Sequence, residues 1–162
     1  AADRVKARNT PVQSWFLAVS LLMAYWEGGH GGGRTYHHTA PVNAMYGLHE
    51  ALLMVKEEGL EQSWEKHRTM HASIYEHLSG LGLEFVVDAS YRLPQLNLVK
   101  VPAGVDEAAV RKQLLQQFNL EIGAGLGAFA GKVWRIGLMG YSARQENVQL
   151  CTSALRACLS SC

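Results

Sequence analysis

No stretch of the 162-residue sequence approaches about 18 consecutive apolar residues, so none can cross a bilayer as a helix. An excess of one charge is also missing: 15 basic against 14 acidic side chains leave a formal net charge of +1. That balance offers no field strong enough to gather nucleic acid or an anionic membrane. Only three cysteines occur, Cys151, Cys158 and Cys162, crowded at the C-terminal end without CxxC spacing. An odd, clustered set argues against a disulfide framework and for a reducing compartment. The sequence starts with neither an initiator methionine nor a hydrophobic signal core; Ala1–Lys6 looks like the middle of a helix, so a truncated product is expected. What is present is a globular balance, 48% apolar and 18% charged. The length suits one core, or one small domain with a piece of another.

The first ten residues are polar and helical in pattern, and residues 12–27 are rich in Trp15, Phe16, Leu17, Tyr25 and Trp26. Gly28-Gly29-His30-Gly31-Gly32-Gly33 is the only low-complexity stretch and is expected to be a flexible loop. Thr39 and Pro41 suit a helix start, and the helix they open runs to about Glu58 and stops at Gly59. Its apolar positions Met45, Leu48, Leu52 and Val55 have helical spacing. A second helix covers about 60–79. The period then changes: Leu83–Val87 and Leu96–Val101 are expected strands. A helix capped by Asp106 follows, then strands at Leu120–Ile122 and Val133–Met139 joined by a glycine-rich turn. Ser142 to Gln145 has the spacing of a capping box for the last helix. From residue 60 the order is α-β-β-α-β-β-α, a small α+β domain with helices on one face of a sheet. Residues 1–59 have the character of the end of a larger domain, which puts the boundary near Gly59.

Two places carry chemistry. Tyr36-His37-His38-Thr39 precedes a helix, where unpaired amides and the positive dipole end welcome a phosphate, and the Tyr36 and Thr39 hydroxyls add donors. The commoner reading of such a segment is a loop that caps a helix, with His37 and His38 merely polar, since most capped helix starts bind nothing. In Val133–Met139 alternation puts Trp134, Ile136 and Leu138 on one face and Arg135 on the other, with Gly137 leaving room beside it. An arginine there can grip a carboxylate with two parallel hydrogen bonds, or can serve a structural ion pair.

Other patterns fail. Gly125-Leu126-Gly127-Ala128-Phe129-Ala130 fits a loose dinucleotide fingerprint, but a strand rather than a helix follows it, and Leu126 and Val133 break a P-loop. A glycine hairpin beside Arg135 is expected instead, with a backbone able to approach a ligand closely. His30-Gly31-Gly32-Gly33 resembles an esterase oxyanion loop, yet no GxSxG follows. His67 and His71 are four apart on a helix, but Arg68 stands where a zinc protease has glutamate, so they are expected to be surface histidines and no metal site is predicted.

Arg8–Leu17, the block Tyr36-His37-His38-Thr39-Ala40-Pro41, Gly47–Leu52, Glu58–Glu61 and the block Arg135-Ile136-Gly137-Leu138-Met139-Gly140 together resemble the serine–pyruvate/alanine–glyoxylate aminotransferases. These are class-V enzymes that use pyridoxal 5'-phosphate (PLP), with the α/β fold called fold type I. The similarity runs in order along essentially the whole chain. It implies that residues 1–59 end the large PLP-binding domain and that residues 60–162 form the C-terminal small α+β domain. It also implies that Tyr36 and Thr39 bind the PLP phosphate of a partner subunit in a homodimer, and that Arg135 binds the substrate α-carboxylate. The Schiff-base lysine of the family lies upstream of residue 1, so no catalytic lysine is assigned.

The implied function is ping-pong transfer of an amino group from alanine or serine to glyoxylate or pyruvate, with this segment inactive alone. Neighbouring alternatives are a 3-hydroxykynurenine or serine–glyoxylate aminotransferase, or a non-catalytic small-molecule-binding α+β module. A cysteine desulfurase would need a cysteine within residues 123–132, where there is none. By the same resemblance the setting is a peroxisome or mitochondrion in a eukaryote, or bacterial cytoplasm, and the partners are amino acids and 2-oxo acids.

Overall fold

The computed structural model describes residues 1–27 and 35–160. The expected loop Gly28–Gly33, with its HGGG stretch, and Cys162 lie outside the described residues. Two compact units are present, Ala1–Leu53 and Met54–Cys162. The division therefore falls inside a helix, ahead of Gly59.

In the first unit, α1 spans Ala2–Lys6, α2 Val19–Leu22 and α3 Ala24–Glu27. Ala18 and Met23 are buried among them, while Trp15, Phe16, Leu17 and Trp26 are exposed. The long helix α4, Val42–Glu58, begins in this unit. Pro41 stands immediately before it, and its carbonyl accepts the first helical bond from Met45 N–H at 3.0 Å. A proline loses no donor there. Thr39 does not cap the helix; its hydroxyl is turned to Tyr36 instead, 2.9 Å away. No residue of α4 is buried, although Met45, Leu48, Leu52 and Val55 have the expected spacing.

Gly59, at φ +84°, supplies the left-handed turn that ends α4 and starts α5, Leu60–Gly80. The second unit continues with β1 (Leu96–Lys100), α6 (Glu107–Phe118), β2 (Gly123–Ala124), β3 (Val133–Gly137) and α7 (Gln145–Leu159). The strands form one antiparallel sheet in the order β1-β3-β2. Asp106 caps α6 as expected, its carboxylate accepting from Ala108 and Ala109 N–H at 3.0 Å each. Three expectations shift. Leu83–Val87 pairs with β1 only around a single bridge, Phe85 to Val99, with bonds from Val86 N–H to the Leu98 carbonyl at 3.0 Å and from Lys100 N–H to the Glu84 carbonyl at 2.8 Å, before Asp88 caps a short turn at Ala89–Tyr91. The strand expected at Leu120–Ile122 is displaced to β2. Ser142 does not cap α7, since its hydroxyl is spent on Met139, accepting from the N–H and donating to the C=O; Arg144 takes the cap position without a side-chain bond.

The helices cover one face of the sheet. Ile74 and Leu78 of α5, Val110 and Leu114 of α6, and Val148, Ala154 and Leu155 of α7 join Val99, Trp134 and Ile136 in a single core. Polar groups inside it are matched. Asn97, buried, accepts from His71 Nδ1–H at 2.7 Å and donates to the Ile136 carbonyl at 3.4 Å. His67 is also buried: its Nδ1–H donates to the Ser63 carbonyl at 2.6 Å, which leaves Nε2 to accept Gly140 N–H at 3.0 Å. The expected surface histidines are thus internal hydrogen-bonding groups, and no cluster suited to a metal occurs among the described residues. Burial pushes the Cys151 thiol up to about 12, so it is a packing group and not a nucleophile.

Trp134 is fully buried at the centre of this core. Trp134→Ala is expected to lower the unfolding free energy by roughly 3–5 kcal/mol, measured by urea denaturation of the full-length polypeptide that carries these residues.

Candidate functional site

The pleat of β3 aims Arg135. Trp134, Ile136 and Leu138 are buried at 0%, 3% and 3% exposure, so the residues between them must point away from the helices. Arg135 pairs across the sheet with Leu98 of β1 and Gly123 of β2, so these three form one row on the face opposite the core. The side chain is half-buried. It lies over β2, and its Nε–H donates to the Ala124 carbonyl at 2.7 Å. A Cβ on Gly123 would meet Nη2 at 3.3 Å and Nε at 3.4 Å, so glycine there lets the guanidinium lie flat on the strand. The hairpin behind it is tighter still: a Cβ on Gly125 would clash with the Phe129 carbonyl oxygen.

Among the described residues no carboxylate pairs with Arg135. One guanidinium nitrogen, Nε, is bonded to the strand, and the two Nη groups have no hydrogen-bond partner among the described residues. That is the arrangement a carboxylate needs: a planar fork, held in direction and not already neutralised. Gly137 stands beside it as expected, with only the Met139 methyl at 3.6 Å from where a Cβ would be.

In the other unit, Tyr36-His37-His38-Thr39 splits by direction. His37 is buried at 7% exposure, while Tyr36 is 72% exposed. The His37 ring packs edge-on against Trp15 with centroids 4.1 Å apart, and its Nε2–H donates to the Trp15 carbonyl at 2.9 Å. The His38 ring lies 4.2 Å from that of Phe16. The two histidines are anchors, not merely polar residues. Tyr36 and Thr39 face outward on either side of them, and their hydroxyl oxygens meet at 2.9 Å.

The Tyr25 hydroxyl holds the backbone of this segment, through bonds to His37 and His38 N–H at 2.8 and 2.9 Å and to the His38 carbonyl at 2.6 Å. Sequence reasoning missed Tyr25. It lies well before the segment it holds, inside a run of aromatics that look like core, and no spacing rule joins the two. His67, the other missed contact, reaches Gly140 across a much longer gap of 73 residues.

Lysines of the described residues are otherwise engaged where a partner is seen. Lys66 pairs with Glu58, Lys100 with Glu84 at 2.7 Å, and Lys132 donates to the Ala128 carbonyl at 3.1 Å.

The chain is similar throughout to known proteins. It is 45% identical to alanine–glyoxylate aminotransferase of Callithrix jacchus over 100% of its own length and 39% of that protein's. It is 40% identical to (S)-ureidoglycine–glyoxylate transaminase of Bacillus subtilis, over 98% of the chain and 37% of the relative. Among solved structures, alanine–glyoxylate aminotransferase from Nostoc sp. superposes with a TM-score of 0.88 at 44% identity, over 98% of this chain and 41% of that one. The chain thus spans about two fifths of the length of the relatives it matches. The expected fold class, that of fold-type-I PLP transferases, is the class of these structural neighbours. Residues 27–150 match the family described as aminotransferase class-V, and the chain belongs to that family.

Proposed function

We propose that the polypeptide carrying this chain is a PLP-dependent aminotransferase that transfers an amino group from a small amino acid to glyoxylate. The observation that carries this is Arg135: a half-buried guanidinium tethered through Nε alone, with no internal carboxylate partner among the described residues. Both substrates of a transamination carry an α-carboxylate, and both half-reactions can use the same fork in turn. The relatives named for alanine, for (S)-ureidoglycine and, at 34% identity over 65% of this chain, for serine as donor all name glyoxylate as well. Glyoxylate is therefore the better supported acceptor. Alanine or serine is the proposed donor, with pyruvate as the corresponding oxo acid of the alanine reaction.

The residues present suit the cofactor's phosphate. Two outward hydroxyls 2.9 Å apart can both donate to phosphoryl oxygens, and neither is buried or committed to the core. When bound, PLP supplies the electron sink that makes a Cα–H removable. Tyr36 and Thr39 would hold the phosphate, in a partner subunit's site if the enzyme is a homodimer. Arg135 would bind the carboxylate and fix the Cα–H in one orientation, an entropic saving that raises the rate of proton removal. Lys66, Lys100 and Lys132 are already engaged within the chain and are not proposed to carry the cofactor. A reducing compartment suits the buried Cys151 thiol.

Two outcomes follow. In the full-length polypeptide, Arg135→Gln is expected to raise KM for both the amino donor and glyoxylate. A fall of about 10- to 150-fold in kcat/KM corresponds to loss of charge-assisted hydrogen bonds. Unchanged steady-state constants for both substrates would refute the clamp. The 162-residue chain alone is expected to show no transamination with alanine and glyoxylate when PLP is added; measurable pyruvate formation would show that it contains its own catalytic base.

A further inference from the structure

We propose that Tyr25 is the positioning residue of the phosphate-binding hydroxyl pair, a role that rests on the reading of Tyr36 and Thr39 given above. The phenol oxygen is a three-way hub. It accepts two consecutive backbone N–H groups, those of His37 and His38, at 2.8 and 2.9 Å. Its own O–H donates to the His38 carbonyl at 2.6 Å. A phenol has one donor and two acceptor sites, so its capacity is used in full.

All three bonds fall on the two residues between Tyr36 and Thr39. The main chain is thereby turned about a single atom. The side chains on either side of the turn emerge on the outer surface, where their hydroxyls meet at 2.9 Å. Trp15 and Phe16 act on the inner side only, through the rings of His37 and His38 and the bond from His37 Nε2–H to the Trp15 carbonyl. They bury the histidines but do not bond the main-chain amides. Tyr25 fixes the direction in which the outer hydroxyls point.

The phenol does not itself face the phosphate on this account. It acts through the separation and orientation of the two groups that do. Its removal is expected to cost phosphate recognition while leaving contacts to the rest of the cofactor intact. The distinction is measurable, because pyridoxal has the same ring and aldehyde as PLP and lacks the phosphate.

The experiment is a titration of the full-length apoenzyme with PLP and, separately, with pyridoxal, following the absorbance of the bound form. Tyr25→Phe keeps the ring and removes the hub. It is expected to raise the Kd for PLP by roughly tenfold, the loss typical of about one well-made hydrogen bond, and to change the Kd for pyridoxal by less than about twofold. In a Tyr36→Phe/Thr39→Val background, Tyr25→Phe is expected to have no further effect on PLP, since sites that act only through one another are not additive. If Tyr25→Phe does not fold, 4-aminophenylalanine at position 25 keeps a donor for the His38 carbonyl and is a much poorer acceptor of the two amides, with little change of shape. It should lower the PLP-to-pyridoxal preference in the same direction.

Equal losses for PLP and pyridoxal, additivity with the double variant, or an unchanged preference would each overturn the role of Tyr25. The underlying reading has its own control: Tyr36→Phe/Thr39→Val should abolish most of the preference for PLP. If that variant keeps the preference, the phosphate assignment fails; if it loses the preference and Tyr25→Phe does not, only Tyr25 is wrong.

Discussion

The alternation of β3 is the constraint on which the proposed carboxylate site depends. A strand offers its side chains to opposite faces in turn. Once Trp134, Ile136 and Leu138 are locked among α5, α6 and α7, the direction of Arg135 is no longer adjustable. The burial that stabilises the domain and the aim of the guanidinium are thus one fact. The tether to the Ala124 carbonyl adds a second coordinate, since it sets the guanidinium against β2 and leaves its outer edge for a ligand. An arginine prepared in this way loses little conformational freedom on binding, and this is what makes a clamp better than a charge on a flexible stem.

The same logic recurs with different parts in Tyr36-His37-His38-Thr39. Two inner residues are spent on anchoring, and two outer ones are made available. Where β3 uses the pleat, this segment has no ladder to define faces. It uses aromatic packing on Trp15 and Phe16 and a phenol that collects the backbone amides. The exposed apolar length of α4 beside it shows how little of this unit is self-sufficient. Its relatives are about two and a half times longer, as the 39% coverage implies.

Much of this was legible in sequence where one physical rule acts locally. The period of two through Trp134, Ile136 and Leu138 gave the faces of β3, Asp106 marked the start of α6, and Gly59 marked the break between α4 and α5. The two blocks around Tyr36 and Arg135 gave the family resemblance. What sequence missed depended on competing partners. Leu83–Val87 has strand composition, but the turn capped by Asp88 follows at once and limits its pairing to a single bridge. Ser142 has capping-box spacing, yet Met139 offers its hydroxyl better partners. His67 and His71 look like surface residues by chemistry, and only the approach of Gly140 and Asn97 makes them internal. For the two histidines the deciding partner lies far along the chain; for Ser142 it is the backbone of Met139, only three residues away.

The central claim is that Arg135 is kept unpaired and oriented so that a substrate carboxylate can complete it. A crystal structure of the full-length polypeptide with PLP and a bound carboxylate inhibitor, such as an aminooxy acid, tests it most directly. The account predicts both carboxylate oxygens on the Nη groups of Arg135, with Nε still donating to the Ala124 carbonyl. A carboxylate held by other residues, with Arg135 paired to an acid of the protein, would contradict it.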